Sequence, residues 1–458
     1  MRRSLVPLAT AAIVVLVAIG WRAGFLLTPP TVGDRPNILL IVTDDQRFDT
    51  LDVMPAVRRW FVDGGTSYST AYAVTPLCCP SRASILTGRY LHNHGIDDNE
   101  EDVETLSAVQ RHTVQAALDG VGYRTGLFGK LFNNWPNDTD PAHFDRWATT
   151  PFVTYSGARW NVNGDVRTVD QDAITYLGDL FVDFASDAEG QDRTPWFGLV
   201  GFMAPHLDEP MTLDPRYEDL RFPPLALTAA RWESDRSDKP DYVREQARKR
   251  TDEIEARRLP HLRSLVAVDD QIDRMMRRLD ALGELDHTLV ILTSDNGVFW
   301  GEHGLYQKSA PYVEAMHVPL MVRWPGHVEA GAVDDRLVGL IDLAPTILVA
   351  AQASSSVVPD GENLLGQARG REQLLLEFRK LEGESVPTWN AIITRTWIFA
   401  EYRGVRTGIA HEYYDLTRDP GQLLNLLGDG SATDDPDART LHTDLRTMMR
   451  CAGVTCHR

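Results

Sequence analysis

Four short, almost uninterrupted apolar runs punctuate this chain: NILLIVT (Asn37–Thr43), RTGLFG (Arg124–Gly129), WFGLVGFM (Trp196–Met203) and TLVILTS (Thr288–Ser294). None shows the alternation of a half-exposed strand. Runs this short and this uniform predict strands buried on both faces, the texture of a mainly parallel sheet covered by helices. A different rhythm governs HLRSLVAVDDQIDRMMRRLDALG, residues 261–283. There Leu262, Leu265, Val266, Val268, Ile272, Met275, Met276 and Leu279 recur at helical spacing, and Gly283 supplies a C-terminal cap. That pattern predicts a scaffold helix. The densely charged stretch before it, Arg231–Arg258, reads as a solvated helix face or a surface insertion.

After Ala350 the texture changes. LLLEF, NAIITRTWIFAEYR and HEYYDL predict antiparallel strands, followed by an acidic loop and a final helix near Thr440–Met449. A transition around Val349–Pro359 therefore divides the chain into an α/β unit over 35–350 and a smaller α+β unit over 351–458.

Composition narrows the function. The chain has 458 residues, of which 43% are hydrophobic, enough for one large core and a smaller neighbour. Its net charge of −19 repels phosphate backbones and argues against a nucleic-acid partner. A local cluster of cations or a metal still leaves room for an anionic substrate. At the N-terminus, Arg2 and Arg3 precede a mostly apolar run from Leu5 to Trp21, shorter than most membrane spans. Residues 1–34 are expected to be a signal peptide or signal anchor with a linker, giving an exported protein that is secreted, periplasmic or anchored by this segment. Export permits disulfides, and Cys451 with Cys456 is the best pair. Cys78 and Cys79 are adjacent, and bridging neighbours strains disulfide geometry. No second Cys/His pair sits at zinc spacing.

Each of the four apolar runs ends near a reactive group. The first leads into Asp44 and Asp45, the second into Lys130, the third into His206, and the fourth into Asp295 and Asn296. In open α/β sheets function gathers beyond the carboxyl ends of the strands. Any one of these residues alone is better explained as a cap, turn or surface group; four coincidences together point to a site. Asp44, Asp45, Asp295 and Asn296 offer oxygen ligands suited to a hard cation, Ca²⁺ or Mg²⁺. Arg82, Lys130, His206 and Lys308 add positive charge, and a metal among cations seats a tetrahedral oxyanion. His303, His92 and His94 are weaker candidates.

The motifs then resemble a known family. CCPSRASILTG looks like the signature of type I, formylglycine-dependent sulfatases, with Cys78 at the modified position and Cys79 at the variable one. VTDDQR, GYRTGLFGK, SDNG, GEHGLYQK, VPLMVRWPG and YYDLTRDPGQLLNL resemble further sulfatase elements in family order, from about Pro36 to Leu427. LCCPSRASILTGRYLHNHG is most similar to the glucosamine-6-sulfatase and heparan endosulfatase branch. The resemblance implies an alkaline-phosphatase-like fold and sulfuric ester hydrolysis, with 35–350 as the catalytic domain. It implies that a formylglycine-generating enzyme converts Cys78 to 3-oxoalanine, whose hydrate is the nucleophile. Asp44, Asp45, Asp295 and Asn296, with the modified Cys78, would then hold the metal, Ca²⁺ or alternatively Mg²⁺. Arg82 would orient the hydrate, and Lys130, His206 and Lys308 would bind sulfate and steady the leaving oxygen.

One departure is visible. Many members carry Gly-Lys-x-His after the second strand, whereas this chain reads Gly129-Lys130-Leu131-Phe132. Phe132 takes no proton, so His94, His303, a water, or positioning by Asn133 or Asn134 would replace that histidine. Two rival readings stand beside a sulfatase: a phosphodiesterase or phosphonate monoester hydrolase on the same fold, and a non-catalytic binder of sulfated glycans. The acidic stretch Gly95–Glu104 favours a small or weakly charged sulfate ester over a heparan-like polymer.

Overall fold

The computed structural model describes residues 35–457 except 152–153, 192–193, 208–212, 227, 367–369 and 406–407. The expected N-terminal signal segment lies outside the described residues. All four apolar runs are strands: β1 (Asn37–Asp44), β2 (Arg124–Gly129), β3 (Trp196–Pro205) and β4 (Thr288–Ser294). Every residue of β1, β3 and β4 is buried. They form the middle of a ten-stranded sheet ordered Ala332–Asp334, Thr66–Tyr68, Leu320–Arg323, β4, β1, β3, β2, Arg146–Thr149, Ala158–Val162, Asp165–Val169. β1 runs parallel to both β3 and β4, and β2 runs parallel to β3. The carboxyl ends of all four strands therefore share one edge, the arrangement on which the strand-end reading depends. Antiparallel pairs occur toward the sheet's margins, as between Leu320–Arg323 and β4.

Five helices matter for the site: α1 (Cys78–Thr87), α2 (Ala173–Gln191), α3 (Thr251–Leu282), α4 (Leu343–Ala351) and α5 (Ala438–Met448). β1 shows why helices cover both faces. Ile38, Leu40 and Val42 point into one apolar cluster with residues of α1 and α4, while Leu39 and Ile41 point into another with residues of α2 and α3. A strand's period of two divides a continuous apolar run between two cores. Among the described residues, no helix is long and apolar enough to cross a membrane.

Two expectations are corrected. The scaffold helix starts at Thr251 rather than near His261, and Pro260 lies inside it. The charged stretch Arg231–Arg258 is also not simply solvated, because Arg231, Lys239 and Arg258 are buried. Lys239 meets Glu233 at 3.2 Å, Asp238 at 2.9 Å and the Leu423 carbonyl at 2.6 Å. The run of charge was legible, but Arg231 reaches Glu302 and Lys239 reaches the Leu423 carbonyl, both outside it.

Leu374–Phe378, Trp389–Ile393, Trp397–Tyr402 and His411–Asp415 form a four-stranded antiparallel sheet, and α5 follows as the final helix. α4 runs across the expected transition near Val349, and the apolar cluster behind α1 continues into this second sheet. Cys451 and Cys456 form a disulfide, whereas Cys78 and Cys79 are free.

β2 and β3 meet backbone to backbone where the site begins. Gly129 has φ +103°, and a Cβ there would lie 2.1 Å from the Gly201 carbonyl oxygen. A Cβ on Gly201 would lie 2.2 Å from the Lys130 carbonyl oxygen. The contact lets the Lys130 N–H donate to the Gly201 carbonyl at 2.9 Å, which sets the lysine at the sheet's edge. Gly129→Ala is expected to destabilise the protein by about 3 kcal/mol through positive-φ strain and this overlap, read as a lower urea midpoint.

Candidate active site

The site begins with helical spacing. Cys78 is the first residue of α1, and Ser81 and Arg82 lie about one turn on, along the same face. Ser81 Oγ donates to the Asp295 carbonyl at 2.5 Å. Arg82 Nε donates to Asp295 Oδ2 at 2.8 Å, and another guanidinium nitrogen donates to the Lys130 carbonyl at 2.8 Å. The Cys-x-Pro-Ser-Arg segment is thereby fastened to the ends of β2 and β4. Gly88, in the left-handed region at φ +69°, ends the helix.

Asp44 closes β1, and Asp45 follows with φ 67°. The Asp45 N–H donates to Asp295 Oδ1 at 3.2 Å, and Asn296 Nδ2 donates to Asp45 Oδ1 at 2.5 Å. Oxygen atoms of Asp44, Asp45 and Asp295 and the Cys78 sulfur all lie within 4.8 Å of one another, each residue buried. Lys130 pairs with Asp44, and Lys308 pairs with Asp45 and donates to Cys78 Sγ at 2.8 Å. Three carboxylates thus face three side-chain cations, with His206 Nε2 a further 3.8 Å from Asp45 Oδ2.

The electrostatics follow from this balance. Burial pushes the Asp44 carboxyl up, but Lys130 foremost, then His206, Arg82 and Lys308, hold it well below the usual carboxylate range. Asp45 is likewise held low, Lys308 and His206 outweighing burial. Asp295 goes the other way, raised by burial and by Asp44. Burial works against the ammonium groups too, yet Asp44 lifts Lys130 and Asp45 lifts Lys308 above the ordinary lysine range. Burial and Asp44 push the Cys78 thiol far up, so as a plain cysteine it is no thiolate.

A cleft of about 310 Å³ opens over Asp45, His206 and Lys308. Its walls include Phe299, Trp300, Tyr306, Asn99, Arg257 and His261. The structure therefore brings Asp44, Asp45, Cys78, Arg82, Lys130, His206, Asp295, Asn296 and Lys308 together.

The weaker candidates go elsewhere. His94 accepts from the Ile96 N–H at 3.0 Å and meets Ser84 Oγ at 3.0 Å, behind α1. Burial pushes its pKa down to about 3. His92 is held between Glu377 and the Cys451 carbonyl. His303 is buried against Glu233 at 2.8 Å and stacks on Tyr312 with ring centroids 4.2 Å apart. These histidines fasten loops and do not line the cleft. Phe132 is buried beside Trp135, Asn133 contacts Cys79 Sγ through its N–H, and Asn134 bonds Glu100. Asn99, Arg257, His261 and Trp300 escaped the strand-end rule because helix and loop residues carry them to the cleft. A histidine on the buried face of a predicted helix was the available signal for His261.

The donor set fits a divalent cation. It is rich in oxygen, and Asn296 Oδ1 is buried with no hydrogen-bond donor among the described residues, an acceptor left for a metal. Buried carboxylates around Cys78, with lysines and an arginine facing the same point, form a seat suited to a tetrahedral oxyanion and a divalent cation. The sulfatase family model matches residues 36–353, and a model of the C-terminal part of N-sulphoglucosamine sulphohydrolase matches 301–450. The chain belongs to the sulfatase family and is a sulfuric ester hydrolase. An extracellular sulfatase SULF-1 homolog of Drosophila melanogaster is 32% identical over 72% of this chain, which spans only 31% of that relative. The N-acetylglucosamine-6-sulfatase of Homo sapiens is 29% identical over 98% of this chain and 90% of its own length. A protein solved in complex with its substrate D-glucosamine-2-N,6-O-disulfate shares the fold with a TM-score of 0.77 at 22% identity, covering 90% of this chain and 97% of its own.

Added Ca²⁺ is expected to raise the melting temperature, because a cation that binds only the folded state adds RT ln(1 + [L]/Kd) to stability. Asp295→Asn, destabilised because Arg82 loses its charged partner, should start from a lower melting temperature and lose most of that rise in a thermal-shift titration. An undiminished rise in the variant would remove Asp295 from the ligand set.

Proposed function

We propose that the chain cleaves the 6-sulfate ester of a glucosamine-type sugar, using formylglycine made from Cys78 and one bound Ca²⁺, with Mg²⁺ as the alternative. The observation that carries this reading is the position of Cys78 Sγ, within the Asp44, Asp45 and Asp295 cluster and 2.8 Å from Lys308. Human, goat and Bacteroides thetaiotaomicron relatives named for N-acetylglucosamine 6-sulfate hydrolysis support the sugar. So do the cleft's size and its mix of aromatic and polar walls, suited to a single sugar ring.

Asp44, Asp45, Asp295 and Asn296 would hold the cation, which neutralises sulfate charge and makes a bound hydroxyl more acidic. A formylglycine hydrate supplies two hydroxyls on one carbon, one to attack sulfur and one to expel sulfate as the aldehyde re-forms. The chain's own residues do the rest. Arg82, fixed by Asp295 and the Lys130 carbonyl, holds the end of α1 so that residue 78 faces the carboxylates. Lys130 and Lys308 offer ammonium protons to sulfate oxygens. His206, beside Asp45 and partly open to the cleft, faces the departing alcohol. Phe132 is apolar and buried, and we assign the proton transfer that releases sulfate to His206 as well.

The reading includes export, carried by the N-terminal apolar run, and maturation by a formylglycine-generating enzyme. Phosphonate monoester hydrolysis is the second reading. The enzyme of that name from Silicibacter pomeroyi shares the fold with a TM-score of 0.69 at 22% identity. Faster turnover of a phosphonate monoester than of glucosamine 6-sulfate would favour it.

Protein made in a host that installs formylglycine should give a residue-78 peptide with the mass of the aldehyde; an intact thiol there would refute the mechanism. Cys78→Ala should lower kcat by ~10³-fold or more, whereas Cys79→Ala should stay within about tenfold of wild type.

A further inference from the structure

His261 lies on α3, almost fully buried, on the wall of the cleft that holds Asp45, His206 and Lys308. The Trp300 indole N–H donates to His261 Nδ1 at 3.0 Å. An indole nitrogen only donates, so Nδ1 carries a lone pair and the ring proton sits on Nε2. Trp300 is itself pinned. Its backbone N–H donates to Glu302 at 2.7 Å, its carbonyl accepts from Arg231 at 3.3 Å, and Arg47 stacks 4.5 Å from the indole centroid. Burial outweighs the opposing pull of Asp45 and pushes the His261 pKa down to about 3, so the ring stays neutral. Its Nε2–H finds no acceptor among the described residues, and His261 is part of the cleft wall.

Resting on the proposed sugar substrate, we propose that His261 is a specificity residue whose Nε2–H donates a hydrogen bond to an oxygen of the sugar that carries the sulfate. Lys130, Lys308 and His206 face the charged end. A neutral donor with a fixed tautomer is suited to the other end, where hydroxyl oxygens must be told apart by position. A buried donor left unpaired penalises any sugar lacking that oxygen, which is how such a contact selects.

The test compares wild type with His261→Asn, whose side-chain oxygen still accepts from Trp300 while the Nε2–H is gone. Glucosamine 6-sulfate is the substrate and inorganic sulfate the competitive inhibitor. The expected result is a 10- to 100-fold fall in kcat/KM, about the loss for one buried hydrogen bond, with the sulfate inhibition constant within about threefold of wild type. His261→Gln, which returns an N–H near the Nε2 position, should stay within about fivefold of wild type. An Asn variant as active as wild type, a Gln variant as impaired as a folded Asn variant, or a sulfate constant that worsens in step with kcat/KM would overturn the assignment. A wild type active toward glucosamine 6-sulfate with an unaffected Asn variant removes this assignment alone. A wild type inert toward that sugar takes the proposed substrate down with it.

Discussion

Three carboxylates and three cations are buried together at one edge of a parallel sheet, and the rest of the structure is arranged around them. A buried ion costs several kcal/mol unless a partner compensates it. Asp295 has Arg82, Asp44 has Lys130 and Asp45 has Lys308. Removing one partner from such a pair leaves an uncompensated charge, at about 3–5 kcal/mol. The site is therefore a constraint on folding as well as an instrument of chemistry. β1, β2 and β4 must end at the same level, with the start of α1 set against those ends.

A second set of buried polar contacts holds the walls of the cleft. Arg47 and Arg231 both reach Glu302, which fixes the turn carrying Trp300. Lys239 ties Glu233 and Asp238 to the Leu423 carbonyl, and Glu233 in turn holds His303. Glu412 accepts from Tyr312 at 2.8 Å, from Tyr414 at 2.6 Å and from Tyr402. Tyr312 lies shortly after Lys308, so the second sheet braces the loop that presents this lysine to the site. Desolvation raises the Glu412 pKa despite those hydroxyls. The C-terminal strands thus help to position the loop that carries Lys308, and they share an apolar cluster with α1.

Much of the fold was legible because its signals are local. Uniform apolar runs gave the four central strands within two residues at their ends, and helical spacing gave the body of α3. The charged stretch Arg231–Arg258 misled, because charge density does not reveal that Arg231 meets Glu302 or that Lys239 reaches the Leu423 carbonyl. His94 and His303 misled as well. Proximity in sequence to Cys78 or Lys308 places neither imidazole in the cleft, since each ring is turned away by a hydrogen-bonded partner.

By itself the sequence determined which residues would stand at the ends of the buried strands and at the start of α1. A Cys-x-Pro-Ser-Arg segment on one helical turn and acidic or amide residues at the ends of buried strands are short-range features, governed by helix and strand periods. Only the tertiary structure decided that Lys308 reaches both Asp45 and Cys78, that Phe132 turns into the core, and that α3 delivers His261 to the cleft. Those outcomes depend on how elements far apart in sequence pack, and no local period records that packing.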